Sequence, residues 1–471
     1  MIRGLATSVL SPLLLMIGGC GFIKDYHRPA VAVPDAYWGA QRDDARTSAG
    51  SLPWRDVFTD PALQSLIEAA VKNGPDGMLA AAQVRAAAAA AGIARAGELP
   101  SINLALQTSP IARTNGAHLN SSFLGGVSAS WEIDLWGRYA RTTEAARADW
   151  LASQENFHGV MAALIANVAN LYYQLATLHK LIDVTVSVAD TQRAGLKLIR
   201  ETSRAGVNSA AEERQQESAL AATEANVPPL EQQIVQVENS LAVLLGRTPG
   251  SLQIAIPANL SAPADLPAGL PSELLERRPD IRAAEAQLHA AHARVDVAKA
   301  LFFPDISLTG FFGGVSTSLS DVLHGRGATV ASLGPNVLLP LFAGGALVSN
   351  RDAALAQLDQ ALVTYRRTVN VAFADVANDL SAYATSSAQV AIEARRVFAA
   401  GEALRLAQLR FRAGVAGFLE LLDTQRQELA SESDSLQSQL QQRQALINLY
   451  LDLGGGWQIS DLLPPAPIYD K

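Results

Sequence analysis

His289 and His292 stand three positions apart in a helical stretch, so both imidazoles fall on one helix face. Two such nitrogens can share a metal ion when a third ligand lies close, and none is evident nearby. The pair therefore reads as an ordinary helix face, with no metal and no cofactor expected. Nor does the chain carry a phosphate-cradling glycine loop, a nucleophile-elbow spacing or a pair of cysteines, so no catalysis is expected. The residue with the clearest chemistry is Cys20, the single cysteine. It follows Arg3, an apolar segment from Leu5 to Ile17 and the small pair Gly18-Gly19. That order reads as a secretory signal over residues 1–19, too short to span a bilayer. Without a second cysteine, an exported chain cannot rely on disulfides.

The elements that must position any site are written twice. Leu99-Pro100-Ser101-Ile102, Arg204-Ala205-Gly206-Val207 and Leu245-Gly246 recur as Phe303-Pro304-Asp305-Ile306, Arg412-Ala413-Gly414-Val415 and Leu453-Gly454, at offsets of 204, 208 and 208. A duplication that keeps its spacing implies two copies of one unit, strands followed by a helical hairpin, far longer than a solenoid repeat. Hydrophobic residues make up 49% of the 471, which excludes disorder, while only 6% are aromatic and Ala is abundant. Long, closely packed helices suit that balance. The net charge of −8 comes without a basic block, which argues against nucleic acid as a partner.

After a Pro-punctuated lead over 20–59, helical patterning begins at Asp60-Pro61, with Asp as N-cap and Pro in the first turn. A second, Ala-rich helix is predicted from about Asp76 to Ala96. Strand signals follow. Ile102, Leu104 and Leu106 alternate with polar or small neighbours, and Val127, Ala129, Trp131, Ile133 and Leu135 alternate with Ser128, Ser130, Glu132 and Asp134. Ile306 to Phe312 and Ala331 to Leu339 repeat the pattern. Turn-rich stretches, Pro110 to Ser122 and Ser316 to Ala328, make each half one hairpin. Uninterrupted helices of about 95 Å are then predicted from Gly137 to Arg200 and from Gly345 to Gln408. Leu164, Leu171 and Leu178, with Val168, Leu175 and Ile182, mark a heptad seam, and Leu422, Leu429 and Leu436 mark one on the second return helix. Pro228-Pro229 predicts a break in the first return helix; the second should run on unbroken.

Four amphipathic strands cannot close into a barrel, and a sheet with one face in lipid must have no free edges. The chain must therefore oligomerise. Three copies supply twelve strands, an allowed outer-membrane barrel, with Ser, Asn, Gln, Glu132 and Asp134 toward a wet lumen. Trp131 and Trp136 fall at the strand-to-helix junction, where an aromatic girdle is expected.

Several segments resemble the outer membrane factor family of TolC-like and OprM-like efflux lipoproteins, on its NodT-like branch. They are Leu274 to Glu285 with its Arg277-Arg278-Pro279-Asp280 core, Phe302-Phe303-Pro304-Asp305-Ile306, Trp131 to Gly137, Asn239 to Gly246, Val227-Pro228-Pro229 and Leu453 to Trp457. Ile17-Gly18-Gly19-Cys20 resembles the bacterial lipobox, and Gly21 after it favours outer-membrane sorting. A diacylglycerol with an amide-linked chain on Cys20 would anchor firmly. The family resemblance implies an α+β membrane protein, a homotrimer whose twelve-stranded outer-membrane barrel, four strands per chain, is continued by a long α-helical periplasmic barrel. It implies an outer-membrane exit duct of a tripartite efflux pump, passing drugs or other small molecules, with a periplasmic adaptor and an inner-membrane RND-type transporter as partners.

The same resemblance places Arg204, Gly206 and Val207, with Arg412, Gly414 and Val415, at helix tips where the adaptor docks. The acidic gate position of OprM-like members falls on Ala400 or Gly401, so Arg395, Arg396, Glu402 and Arg405 are taken as an alternative charged aperture. Repeats are expected over 60–260 and 261–457, with a tail over 458–471. Type I protein secretion, heavy-metal efflux and a soluble periplasmic coiled-coil adaptor are the alternatives weighed.

Overall fold

The computed structural model describes residues 26–34, 37, 48–111, 120–204, 209–250, 254 and 271–457. Cys20, Gly206, Val207 and the tail from 458 lie outside them. The first series of elements is α1 (Trp54–Val57), α2 (Pro61–Asn73), α3 (Pro75–Ala96), β1 (Ser101–Ile111), β2 (Asn120–Glu132), α4 (Arg138–Arg204), α5 (Ala210–Glu224) and α6 (Val227–Leu244). The second is α7 (Pro271–Arg277), α8 (Pro279–Ala300), β3 (Asp305–Ser316), α9 (Leu319–Leu323), β4 (Ala328–Leu338), α10 (Ala346–Arg412) and α11 (Phe418–Asp452). Helices α4 and α10 each hold 67 residues and start 208 positions apart, at Arg138 and Ala346, the repeat spacing of the sequence. At 1.5 Å per residue each is about 100 Å long.

Contacts divide the chain into two compact units that cut across the repeats. Of the described residues, one holds 26–31, 84–153 and 283–367; the other holds those within 32–83, 154–282 and 368–457. The first contains a four-stranded antiparallel sheet in the order β1-β2-β3-β4. The two hairpins meet at the β2–β3 pair, with Val127 opposite Phe312 and Trp131 opposite Leu308. Prolines within the sheet lie on the two outer strands, Pro110 in β1 and Pro335 in β4, where a missing ladder donor is tolerated.

Two expectations about the strands need correcting. The alternation to Leu135 does not extend the ladder, which stops at Glu132; Ile133 N–H still donates to Ile306 O at 2.8 Å, but Leu135 N–H turns back to Ile133 O at 2.9 Å. The turn at Gly137, with φ 73°, then starts α4. The predicted turn segments are also shorter than read, since Pro110 and Ile111 continue β1 and Asn120 to Ser122 open β2. Backbone pairing across the hairpin outweighs the turn propensity of those residues.

In the second unit the caps are where the residues put them. Asp60 accepts from Ala62 N–H at 2.9 Å with Pro61 in the first turn, and it also accepts from Tyr172 O–H at 2.7 Å, joining α2 to α4. The first return helix breaks at Ala225-Asn226, and Pro228-Pro229 occupy the first turn of α6, where an N–H is not required. Helix α11 runs unbroken, as expected. The seam on α4 is largely buried, with Val168 and Leu175 fully so. On α11, Leu422 is buried, but Leu429 and Leu436 are only partly so. The buried stripe there is polar instead: Gln425, Ser431, Ser435 and Ser438. Small serines let helices approach closely, and their hydroxyls bond within α11, Ser431 to Glu428 O and Ser438 to Ser435 O, both at 2.9 Å.

Candidate functional site

The sheet sorts its side chains by chemistry. On one face the register aligns Ile102 with Ala129, Leu104 with Val127, Trp131 with Leu308, Phe312 with Ala331 and Gly310 with Leu333. These apolar groups lie open: Ile102 is 72% exposed, Leu104 86%, Phe312 66% and Leu333 77%. The other face carries Ser101, Asn103, Gln107, Ser128, Ser130, Ser307, Thr309, Ser332 and Asn336, interrupted by Leu124, Phe311 and Val315. Cross-strand polar contacts line it, such as Ser101 Oγ to Ser130 Oγ at 2.8 Å. Among the described residues β1 and β4 each lack a partner on their outer side. A face this apolar belongs in lipid, and in lipid an unpaired strand edge is too costly to leave.

At the strand-to-helix junction the four residues singled out have different tasks. Trp131 keeps its ring on the apolar face and donates its indole N–H to Glu98 O at 3.0 Å, the amphipathic placement of an interfacial aromatic. Trp136 does not join it there; it stacks on Phe303 with centroids 4.8 Å apart and donates to Pro304 O at 2.8 Å. Glu132 is held by Arg138 and by Tyr139 O–H, the latter at 2.9 Å. Asp134 accepts from Ala140 N–H at 2.8 Å, capping the start of α4. Both carboxylates thus fasten the junction.

The second helix tip is fully described. Gly414 takes φ 70°, Gly414 N–H donates to Phe411 O at 3.0 Å and Val415 N–H to Arg410 O at 3.0 Å, a Schellman ending to α10. Val415 would ordinarily pack back on its own helix at such an ending, yet it is 68% exposed. Arg410 pairs with Glu420 across the turn at 2.9 Å, and Arg412 ends α10. At the first tip Arg204 ends α4, Ser209 and Glu212 form a capping box on α5, and Arg200 pairs with Glu213 at 3.2 Å. A cavity of about 400 Å³, lined by Leu198, Ile199, Phe411, Phe418 and Gln425, lies between the two helical hairpins. Replacing Gly414 by Ala forces a Cβ into the left-handed region and should cost about 1–2 kcal/mol, read as a lower unfolding midpoint.

Of the four residues expected at an aperture, Arg396 reaches a second helix, bonding Asp434 of α11 at 2.7 Å and Glu393 at 3.2 Å. Arg405 and Glu402 pair along α10 at 2.9 Å, and Arg395 is exposed. His289 and His292 form no metal cluster among the described residues. His289 contacts Glu144 at 2.8 Å and stacks on Tyr26, which also meets His292 edge-on.

Sequence reasoning missed one assembly. Arg278, 8% exposed, donates to Asp280 at 2.8 and 2.9 Å, to Asp375 at 3.3 Å and to Asp452 at 3.3 Å. One guanidinium thereby ties the start of α8 to α10 and α11. Its signal was the Arg277-Arg278-Pro279-Asp280 run, but the two remote aspartates cannot be found from local spacing.

Two stretches, 66–247 and 270–455, match the outer membrane efflux protein family, one for each repeat. The chain belongs to the outer membrane efflux protein family. It is 35% identical over 461 residues to the solvent efflux pump outer membrane protein SrpC of Pseudomonas putida, covering 95% of this chain and 97% of that one. It is 32% identical to outer membrane protein OprJ of Pseudomonas aeruginosa, covering 94% and 95%. The open-state structure of the Neisseria gonorrhoeae MtrE outer membrane channel superposes with a TM-score of 0.84 at 32% identity, covering 93% and 99%. This outer membrane efflux protein is therefore a channel of the TolC-like fold and not an enzyme. Its place is the outer membrane and its work is efflux. A soluble adaptor is excluded.

Proposed function

We propose that three copies close β1 of one chain on β4 of the next, forming a twelve-stranded barrel through which drugs and other small molecules leave passively. The observation that carries this is the sheet with one open apolar face and two unpaired edges. Relatives named for solvent, toluene and antibiotic efflux support small apolar cargo over secreted proteins or metal ions. In outer-membrane fractions the protein should run as a heat-modifiable trimer and conduct ions in planar bilayers. A monomeric, non-conducting protein would overturn the reading.

The finer assignments belong to the same reading. Residues 1–19 are removed and Cys20 carries lipid; labelled palmitate should enter the wild-type protein and fail to enter Cys20→Ser. The repeats divide as 60–260 and 261–457. Arg204, Gly206, Val207, Arg412, Gly414 and Val415 meet the adaptor, for which the exposed Val415 offers an apolar contact. Arg395, Arg396, Glu402 and Arg405 narrow the periplasmic aperture, with the Arg396–Asp434 pair bracing α10 on α11. Exposed pairs of this kind contribute only about 0.2–1 kcal/mol each. Replacing Arg395, Arg396 and Glu402 by Ala should therefore leave the trimer folded while raising its conductance; unchanged closure would remove these residues from the gate.

A further inference from the structure

The two repeats build the same corner from opposite chemistry. Gly74-Pro75-Asp76 opens α3 where Arg278-Pro279-Asp280 opens α8, 204 positions on. Helix α4 places Asn167 and Leu171 where α10 places Asp375 and Asp379, and α6 ends on Leu244 where α11 ends on Asp452, each 208 positions on. A Cβ on Gly74 would lie 3.0 Å from Leu244 O, and Arg278 correspondingly reaches Asp452 O at 3.4 Å. The corner that has no cation and a single carboxyl group, Asp76, in the first repeat thus holds one cation and four carboxyl groups in the second.

That charge count does not balance. Arg278 serves Asp280, Asp375 and Asp452, and Asp379 is left over. The Asp379 and Asp452 carboxyls face each other within hydrogen-bonding reach, and Asp379 Oδ2 is buried without a donor. Two ionised carboxylates cannot hydrogen-bond; one proton between them converts repulsion into a bond. The charged groups facing this pair are Asp375 on α10, Arg278 at the start of α8 and Asp280 beside it, with Arg277, Glu273 and Tyr37 next to Arg278.

We propose that Asp379 and Asp452 share one proton at neutral pH, and that this proton completes a latch joining α10, α11 and the start of α8, so that its loss loosens the second helical hairpin at its base. Burial, and then the neighbouring Asp452 and Asp375 carboxylates, push Asp379 up to about 8 from 3.8. The fold therefore binds more protons than the unfolded chain between those values, and its stability falls as pH rises through that window. Leu171 and Leu244, which stand in place of Asp379 and Asp452 in the first repeat, do not titrate, which confines the effect to the second hairpin.

The test uses the full-length trimer in detergent. Infrared difference spectra between about pH 6 and about pH 9.5, a range that brackets the transition, should show a protonated carboxyl band that disappears on alkalinisation. Asp379→Asn should lack the band, and Asp280→Asn should keep it. Over the same range, amide protection around 375–382 and 448–452, with the base-catalysed intrinsic exchange rate divided out, should fall in the wild type on the order of tenfold, the change that one pH unit of proton affinity produces. It should stay flat in Asp379→Asn and in Asp379→Leu, which installs the first repeat's side chain. A wild-type trimer without a titrating carboxyl band, or an Asp379→Asn trimer that keeps the pH-dependent protection, would overturn the proposal. Because each readout is taken on an assembled trimer, loss of the trimer itself would count against the channel reading and not against the shared proton.

Discussion

Leu333→Arg should abolish the channel. Leu333 sits midway along β4 on the open apolar face, and an arginine near the bilayer midplane costs about 2–4 kcal/mol per chain on a lipid-facing barrel surface. The cost is incurred three times in a trimer whose closure depends on every strand edge being paired. The expected result is no heat-modifiable trimer in outer-membrane fractions and efflux at the level of a deletion strain. Ser332→Arg, one residue earlier and on the opposite face, should assemble and alter only conductance, because side chains alternate across a strand. Equal damage from both substitutions would mean that the sheet does not present one face to lipid.

Arg278→Ala should destabilise the helical region by about 3 kcal/mol, the lower end for breaking a buried ion pair, since Asp375 and Asp280 remain partly solvated. The loss comes less from the bonds removed than from the carboxylates left unpaired. Adding Asp452→Leu, the first repeat's residue, should recover part of it by removing one stranded charge. Arg278→Lys should not rescue, because an ammonium lacks the planar fork that serves three carboxylates at once. Thermal unfolding of the trimer measures all three; a loss below about 1 kcal/mol for Arg278→Ala would show the cluster to be solvated and dispensable.

What the residues disclosed was whatever depends on local period. Asp60-Pro61 named a helix start, alternation named each strand's apolar face, and the Pro pair named a break in one return helix. The same reasoning overran the strand to Leu135, because alternation persists through a turn fixed by Gly137 and by the bonds of Ile133 and Leu135. It did not disclose that Trp136 stacks on Phe303, or that Arg138 and Ala140 N–H hold Glu132 and Asp134, because composition does not reveal which groups lie within reach. On α11 it followed leucines at heptad spacing, whereas the middle of the helix buries serines, whose small size and internally bonded hydroxyls suit a close interface. Least legible were the long-range polar contacts. Arg278 meets aspartates 97 and 174 positions away, and Arg396 meets Asp434 across a hairpin, separations at which no pattern in one sequence specifies a partner.

The duplication carries a physical consequence. One strand pair cannot close its edges, and two pairs joined at β2–β3 still leave β1 and β4 open, so closure must come from other copies. Since the duplicated halves share their frame, their differences mark where they do different work: a broken return helix in the first, a charged corner and an Arg396–Asp434 brace between α10 and α11 in the second.

Cross-linking between copies tests the closure most directly. With Cys20 the only native cysteine, cysteine pairs can be placed on the polar faces of the outer strands, at Ser101, Asn103 or Ala105 of β1 and at Ser332, Gly334 or Asn336 of β4. Under oxidation, at least one pairing should convert the outer-membrane protein into covalent trimers that remain linked after heating without reductant. If every pairing leaves monomers while the protein still conducts, β1 and β4 do not meet between copies and the twelve-stranded barrel is wrong.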